Sequence, residues 1–114
     1  MDISAIEGVE LKAVEFVDDY LQLRFGEPLL RLYDWPHVLL TDFSVAFGEP
    51  EYRNALCAEI GEAVTTAMLE EDDALTVEFA NGIVFGLSLR EEDVDGPVSG
   101  SYSPTGDEVD AQEF

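Results

Sequence analysis

The sequence predicts an α+β fold, mostly β, in which two related antiparallel β-meanders pack as a sandwich or open barrel with one short helix between them. Three observations support this prediction: apolar and polar residues alternate over short segments, turn residues separate these segments, and the pattern occurs twice. A chain of 114 residues, 46% of them hydrophobic, can bury the core of one domain. We therefore expect a single domain over residues 1–114.

The internal repeat has the order strand, acidic turn, strand, turn and strand. Its first copy begins at Gly8 and its second at Gly61, an offset of 53, whereas Phe25 and Phe79 after the acidic turns are offset by 54. An acidic turn that is one residue longer in the second copy accounts for this difference. Each copy is therefore expected to form a three-stranded meander.

The strand predictions rest on a period of two. Residues 21–25 and 75–79 each place three apolar side chains on one face and two polar side chains on the other. Asn81-Gly82 favours a tight hairpin turn, and an alternating apolar strand follows over residues 83–89. In the first copy, residues 26–33 supply a Gly-Glu-Pro turn and the corresponding third strand.

The region between the two copies predicts one more strand over residues 38–47 and then a short helix. Pro50 suits the first turn of this helix and Gly61 can end it. The apolar face of the helix would consist of Tyr52, Leu56 and Ile60. Cys57 is the only cysteine, so the chain forms no internal disulfide, and we expect this side chain to be buried.

Residues 91–114 differ in composition from the rest of the chain. They contain eight acidic residues, no basic residue, three glycines and two prolines. This composition is typical of a flexible acidic C-terminal extension. The alternative is that the few apolar residues of this segment dock on the domain, and the sequence leaves both possibilities open.

The charge balance restricts the possible partners. The chain has 26 acidic and five basic residues, a formal net charge of −21. Repulsion from phosphates makes nucleic acids and anionic membranes unfavourable partners, whereas a basic protein is favoured. No apolar run approaches the roughly 20 residues of a membrane span, and the N-terminus lacks a signal-peptide pattern. We therefore expect a cytoplasmic protein.

No pattern in the chain indicates catalysis. His37, the only histidine, follows a proline and has no nucleophile or metal-binding partner at a recognisable spacing. Glycine-rich phosphate loops, serine-centred elbows and metalloprotease motifs are absent. We expect neither an enzyme nor a cofactor.

An alternating acidic segment resembles the first half of a calcium-binding loop. Glu91, Asp93 and Asp95 precede Gly96, but the twelfth position is Tyr102, where such a loop requires a glutamate. We therefore expect no metal site.

The acidic clusters are the predicted partner-binding residues. They are Asp18, Asp19, Glu70, Glu71, Asp72, Asp73, Glu91, Glu92, Asp93 and Asp95. Because the first two clusters occupy equivalent turns of the repeat, they would present carboxylates along one rim, as a DNA duplex presents phosphates. Turns are also where solvated acidic residues commonly occur, so a purely structural origin stays open.

Several segments together resemble a pattern in small uncharacterised β-rich bacterial proteins, some of them encoded in toxin–immunity neighbourhoods. These segments are Ile60-Gly61-x-x-Val64, Leu75-x-Val77-x-Phe79-x-Asn81-Gly82-Ile83, Leu87-x-Leu89 and Asp95-Gly96-Pro97. After the Gly-Pro pair such proteins often have an acidic and an aromatic residue, where this chain has Val98-Ser99. The resemblance implies a β-rich fold and a role near toxins, and it implies no catalytic residue.

Three functions remain open, in this order. The first is a non-enzymatic acidic binding protein that neutralises a basic protein, as an immunity protein against a nuclease-type toxin or a DNA-mimic inhibitor of a DNA-binding protein does. The second is a small structural or housekeeping domain whose acidity reflects a salt-rich or high-GC host. The third is an enzyme that uses an acid pair in a pocket.

Overall fold

The computed structural model describes every residue from Met1 to Phe114 and confirms a fold that is mostly β. Ten strands are present: β1 (Ala13–Val17), β2 (Tyr20–Arg24), β3 (Leu29–Leu32), β4 (His37–Leu39), β5 (Ser44–Val45), β6 (Val64–Glu70), β7 (Ala74–Phe79), β8 (Val84–Ser88), β9 (Gly100–Ser103) and β10 (Gln112–Glu113). The single α-helix, α1, comprises Tyr52–Cys57, and short 3₁₀ turns occur at Ser4–Ile6, Glu91–Asp93 and Glu108–Asp110.

The strands form two antiparallel sheets of five strands each. The first sheet has the order β1-β2-β3-β9-β10, and the second has the order β5-β4-β8-β7-β6. Each sheet therefore contains one of the two predicted meanders, β1–β3 and β6–β8. The acidic turn has two residues in the first meander and three in the second, and each turn contains one aspartate with positive φ, Asp18 at 42° and Asp72 at 62°.

The two halves of the chain exchange their last strands. After the first meander, the chain crosses over so that β4 pairs with β8 in the second sheet. After the second meander, the chain crosses back so that β9 pairs with β3 in the first sheet. The repeat thus has five strands in each half, of which three form the meander and two extend the other half's sheet.

An approximate local two-fold axis relates the halves where the chain enters each meander. Gly8 N–H donates to Val64 O at 2.7 Å, and Gly61 N–H donates to Leu11 O at 2.8 Å. These two bonds correspond under the offset of 53, which also maps Glu10 onto Ala63, the residue with which it forms an isolated antiparallel bridge. The two copies are therefore joined by backbone pairing between residues that correspond in the repeat.

One apolar core lies between the sheets. Twenty-two buried residues form a single cluster that draws on both halves. The alternating positions predicted from the sequence supply its centre: Phe25 and Phe79 are 0% and 1% exposed. Burial of such large side chains from both sheets makes the two halves one folding unit, since neither half covers its own apolar face.

Three local predictions between the copies were wrong. Residues 38–47 form two short strands, β4 and β5, because the chain reverses where Leu40 N–H donates to Phe43 O. Helix α1 begins two residues after Pro50, and Ile60 lies beyond its end and is 45% exposed. Cys57 is exposed, because Tyr52 and Leu56 face the core from this helix.

Residues 91–114 are docked on the domain and supply two of its strands. In β9, Tyr102 pairs with Leu30 and is only 4% exposed. A Cβ atom on Gly100 would lie 2.6 Å from Cζ of Phe114 and even closer to the carbonyl oxygen of Arg31. Glycine is therefore required where the C-terminal segment packs onto β3, and of the two alternatives for this segment the structure shows docking.

Candidate acidic binding cleft

An open cleft of about 490 Å³ lies where the β6–β7 turn meets the C-terminal segment. Four acidic residues line it: Glu71, Asp72, Glu91 and Glu113. Its apolar lining consists of Leu89, Val94, Val98 and Phe114, and the remaining lining residues are Gly96, Pro97 and Ser99. Because no lysine, arginine or histidine lines the cleft, the carboxylates give it a strongly negative potential.

The β6–β7 turn places two of these carboxylates at the cleft. Asp73 N–H donates to Glu70 O at 3.1 Å, and Leu89 N–H donates to Asp73 O at 2.8 Å, so this turn is tied to the end of β8. Asp72 adopts the left-handed conformation that aspartate tolerates better than most residues. Glu71 has a 68% exposed side chain, and the Met1 amino group lies 3.8 Å from its carboxylate.

The 3₁₀ turn after β8 contributes Glu91. Next to it, Ser88 Oγ donates to Oδ2 of Asp93 at 2.7 Å, which holds this turn against the end of the strand. The segment that resembles half a calcium loop is thus a 3₁₀ turn followed by extended backbone at Val94. No three acidic, histidine or cysteine side chains in the chain are grouped as metal ligands.

Glu113, in strand β10, and Phe114, which follows this strand, also line the cleft. Phe114 N–H donates to Gly100 O at 3.0 Å, while Phe114 O accepts from Ser99 N–H at 2.6 Å. These bonds fix the Phe114 ring over Gly100, where no side chain competes for the space. Glu113 and Phe114 were not among the predicted site residues, because only pairing with β9 brings them to the cleft.

A half-buried acid, Asp34, lies next to the cleft. Burial, followed by the nearby charge of Asp95, raises the pKa of Asp34, while a hydrogen bond with Ser99 opposes this rise. The Oδ2 atom of Asp34 is buried and has no hydrogen-bond partner. Asp34 is thus a carboxyl group that holds its proton more strongly than usual and could donate one, but it was not predicted.

The predicted acidic residues are not all gathered at one place. Glu71, Asp72 and Glu91 line the cleft, whereas Asp18 and Asp19 do not, although they occupy the equivalent turn of the first meander. Asp73 pairs with Arg90 at 3.4 Å beside the cleft. Four further predicted residues are exposed and close in sequence to the lining residues, but they do not line the cleft: Glu70, Glu92, Asp93 and Asp95.

All five basic side chains are engaged within the protein. Lys12, Arg24, Arg31 and Arg90 form ion pairs with Glu10, Glu15, Glu108 and Asp73, respectively. The guanidinium of Arg53 lies 5.0 Å from the ring centroid of Phe16. The surface therefore combines many unpaired carboxylates with cations that already have internal partners.

The corresponding corner of the first half is aromatic. Phe47 lies two residues after the end of β5, whereas Phe114 directly follows β10. The Phe47 ring stacks on Trp35 with centroids 4.3 Å apart and an interplanar angle of 12°. Trp35 also stacks on Phe16 at 6.2 Å. His37, exposed at the start of β4, has no ion-pair or side-chain hydrogen-bond partner.

Comparisons with protein family models, with curated proteins and with solved structures find no match for this chain. None of its helical segments has the length and apolar character needed to cross a bilayer. The family resemblance suggested by the sequence thus stays a prediction, and the local chemistry of the cleft carries the functional interpretation.

Proposed function

We propose that this protein is a non-enzymatic binding protein that neutralises a basic protein partner through the acidic cleft. The partner would be of the kind inhibited by an immunity protein or a DNA mimic, such as a nuclease-type toxin or another DNA-binding protein. The observation that carries this proposal is a cleft lined by four carboxylates and four apolar side chains, with no basic lining residue. Nucleic acid is not expected to bind directly.

The composition of the cleft suits protein recognition better than simple solvation. Leu89, which is 7% exposed, and Phe114 both line the cleft, so an inserted side chain would lose water on its apolar surface. The surrounding carboxylates would accelerate encounter with a basic partner and penalise neutral or acidic ones. Acidic residues that served solubility alone would not need to share a cleft with apolar side chains.

The proposal is tested with two variants of equal charge. The cleft variant carries Glu71→Gln, Asp72→Asn, Glu91→Gln and Glu113→Gln. The control variant carries Glu27→Gln, Asp42→Asn, Glu51→Gln and Glu78→Gln, four exposed acids that neither line the cleft nor form ion pairs. Asparagine suits position 72 because it tolerates positive φ as aspartate does.

Wild type and both variants are used to capture proteins from a lysate of the encoding organism, with elution by rising salt and mass spectrometry. We expect one basic protein to be retained in stoichiometric amount by wild type and control and lost by the cleft variant. Equal loss from both variants would show that net charge alone retains it. Equal retention by wild type and both variants would exclude the cleft as the binding site.

Thermal unfolding in potassium chloride separates this proposal from a housekeeping domain in a salt-rich cytoplasm. Screening of self-repulsion should raise Tm up to a few tenths molar salt and then level off, since the Debye length is already about 3 Å at 1 M. A Tm that continued to climb steeply through molar concentrations would favour salt adaptation as the origin of the charge.

A further inference from the structure

Strand β1 is an edge of the first sheet, and two of its residues direct their backbone polar groups away from that sheet. The two-residue turn after β1 pairs Val17 with Tyr20, and partners in an antiparallel pair alternate between hydrogen-bonded and non-hydrogen-bonded positions. Residues 13, 15 and 17 are therefore the ones that bond to β2. The N–H and C=O groups of Val14 and Phe16 point to the open edge, and no protein group bonds to them.

The corresponding edge of the second sheet, strand β6, is closed by the protein itself. Ala67, which corresponds to Val14 under the offset of 53, donates its N–H to Oε2 of Glu7 at 2.9 Å. The residue that corresponds to Glu7 is Ile60, which has no acceptor in its side chain and is 45% exposed. One half thus caps its strand edge with a carboxylate, whereas the other half has an apolar residue at the corresponding position and leaves its edge open.

We propose that β1 pairs antiparallel with β1 of a second copy of this chain, so that the first sheets of two molecules join into one. In one register both open residues bond, because Val14 lies opposite Phe16 of the second copy and Phe16 lies opposite its Val14. Four N–H to C=O hydrogen bonds then satisfy every outward group of the two edges. Since a two-fold axis relates the copies, the assembly closes as a dimer.

The charges at the ends of the strand favour this register and this partner. The register places Lys12 opposite Asp18 of the second copy, twice in each dimer, and both side chains are exposed. Glu15 lies opposite its own counterpart, but Gln22 and Arg24 already bond to its carboxylate and lessen the repulsion. An extended basic segment would meet Lys12 at this edge, whereas a second copy offers Asp18 to it.

Disulfide crosslinking tests the register directly. Cys57, the only native cysteine, is first replaced by serine. In this background Glu15→Cys places a thiol on the two-fold axis, opposite its own counterpart, and should give a covalent dimer under mild oxidation. Ala13→Cys and Val17→Cys should each stay monomeric alone, because four residues along the paired strands separate each thiol from its counterpart by roughly 13 Å.

A mixture of Ala13→Cys and Val17→Cys should crosslink, since the register pairs residue 13 with residue 17 of the second copy. This mixture leaves Glu15 and its hydrogen bonds intact, so it tests the register without disturbing them. Absence of crosslinking in the mixture would overturn the proposal. Equal crosslinking by Ala13→Cys alone would also overturn it, because random collision would then account for the product.

Sedimentation of the wild-type protein measures the association itself. At about 0.15 M potassium chloride the Debye length is about 8 Å, so repulsion between distant charges of the two chains is screened more than contacts across paired strands. We expect the dimer fraction to rise with protein concentration. A monomer at every concentration would overturn the proposal. None of the residues of β1 lines the acidic cleft, so the result is independent of the proposed function.

A charge reversal at the strand end completes the test. Lys12→Glu should weaken the dimer about tenfold, because two attractions across the paired strands become repulsions. Arg90→Glu is the matched control, since the Lys12 and Arg90 side chains are 57% and 62% exposed and each pairs with one acid. The control should associate as wild type does. Equal weakening by both variants would assign the effect to net charge and would contradict the pairing of β1.

Discussion

Phe47 and Phe114 follow the fifth strands of the two halves of the chain, and their surroundings differ. Phe47 stacks on Trp35 in an aromatic corner, whereas Phe114 lies over Gly100 and forms a wall of the acidic cleft. The two-fold relation of the backbone is therefore not shared by the surface. The repeated backbone forms a corner in each half. Because the side chains differ, only the corner that contains Phe114 is an acidic cleft.

The two halves also differ in the interior of the protein, at one pair of corresponding positions. Ile6 and Glu59 correspond under the offset of 53, and both carbonyl groups accept equivalent hydrogen bonds, from Val9 N–H at 3.1 Å and Glu62 N–H at 3.0 Å. Ile6 is fully buried as an apolar side chain, whereas Glu59 is 3% exposed as an acid. Substitutions at corresponding positions can therefore test where the halves are equivalent and where they differ.

The largest effect is expected from the two central phenylalanines. Phe25→Ala and Phe79→Ala should each lower the free energy of unfolding by about 4 kcal/mol, because each leaves a cavity in the shared core. Urea unfolding of both variants measures the two losses. If one loss were less than half of the other, the two halves would not contribute equally to the core.

A smaller effect of opposite sign is expected at Glu59. Its Oε1 atom is buried without a partner, while Asn81 Nδ2 donates to Oε2 at 3.2 Å. Burial raises the Glu59 pKa above its unfolded value near 4.5, so folding stability is lost as pH rises through the folded pKa. Glu59→Gln should thus increase stability by about 1 kcal/mol at pH 7.

Unfolding of wild type and Glu59→Gln across pH checks this sign. Their difference in stability should vanish below pH 4.5, where the Glu59 carboxyl is protonated in both folded and unfolded states. Glu15→Gln is the contrasting control, because hydrogen bonds from Gln22 and then Arg24 lower the Glu15 pKa. This variant should lose stability at neutral pH and approach wild type in acid. A Glu59→Gln difference that was independent of pH would contradict burial of an ionisable group.

The smallest effect is expected at the two acidic turns. Asp18 and Asp72 both have positive φ, a conformation that glycine adopts without steric cost. Asp18→Gly and Asp72→Gly should each raise the free energy of unfolding by about 0.5 kcal/mol, as the relief of strain slightly exceeds the added entropy of the unfolded chain.

Asp19→Gly serves as the control for these turns, because it removes the same charge where φ is not positive. It should destabilise the protein, so that the difference from Asp18→Gly isolates the conformational term. Stabilisation of equal size by all three substitutions would indicate relief of charge repulsion and would remove turn geometry as the cause.

Much of the fold could be predicted from local patterns. The alternation in residues 21–25 and 75–79 identifies the central strands and their buried faces, because a side-chain period of two reflects the β pleat. The repeat likewise predicted the equivalent turns at Asp18 and Asp72. The short strands β4, β5 and β10 gave no such signal, since two or three residues are too few to show a period.

The cleft could be predicted only in part. Glu71, Asp72 and Glu91 were recognised as acidic clusters, and antiparallel pairing of β7 with β8 brings them near one another. Glu113 and Asp34 were missed, because their positions depend on pairing between β9 and its neighbours β3 and β10. Contacts between residues that are far apart in the sequence leave no local pattern from which they could be predicted.

The sequence by itself determined the net charge, the repeated meander and the apolar positions of the central strands, since each is a property of composition or local period. Only the tertiary structure decided that the last two strands of each half lie in the other half's sheet. That exchange buries an apolar face which neither half can cover alone, and it carries the C-terminal segment back to the β6–β7 turn. Long-range strand pairing therefore creates the acidic cleft, because residues separated by about 40 positions become neighbours only after both sheets have formed.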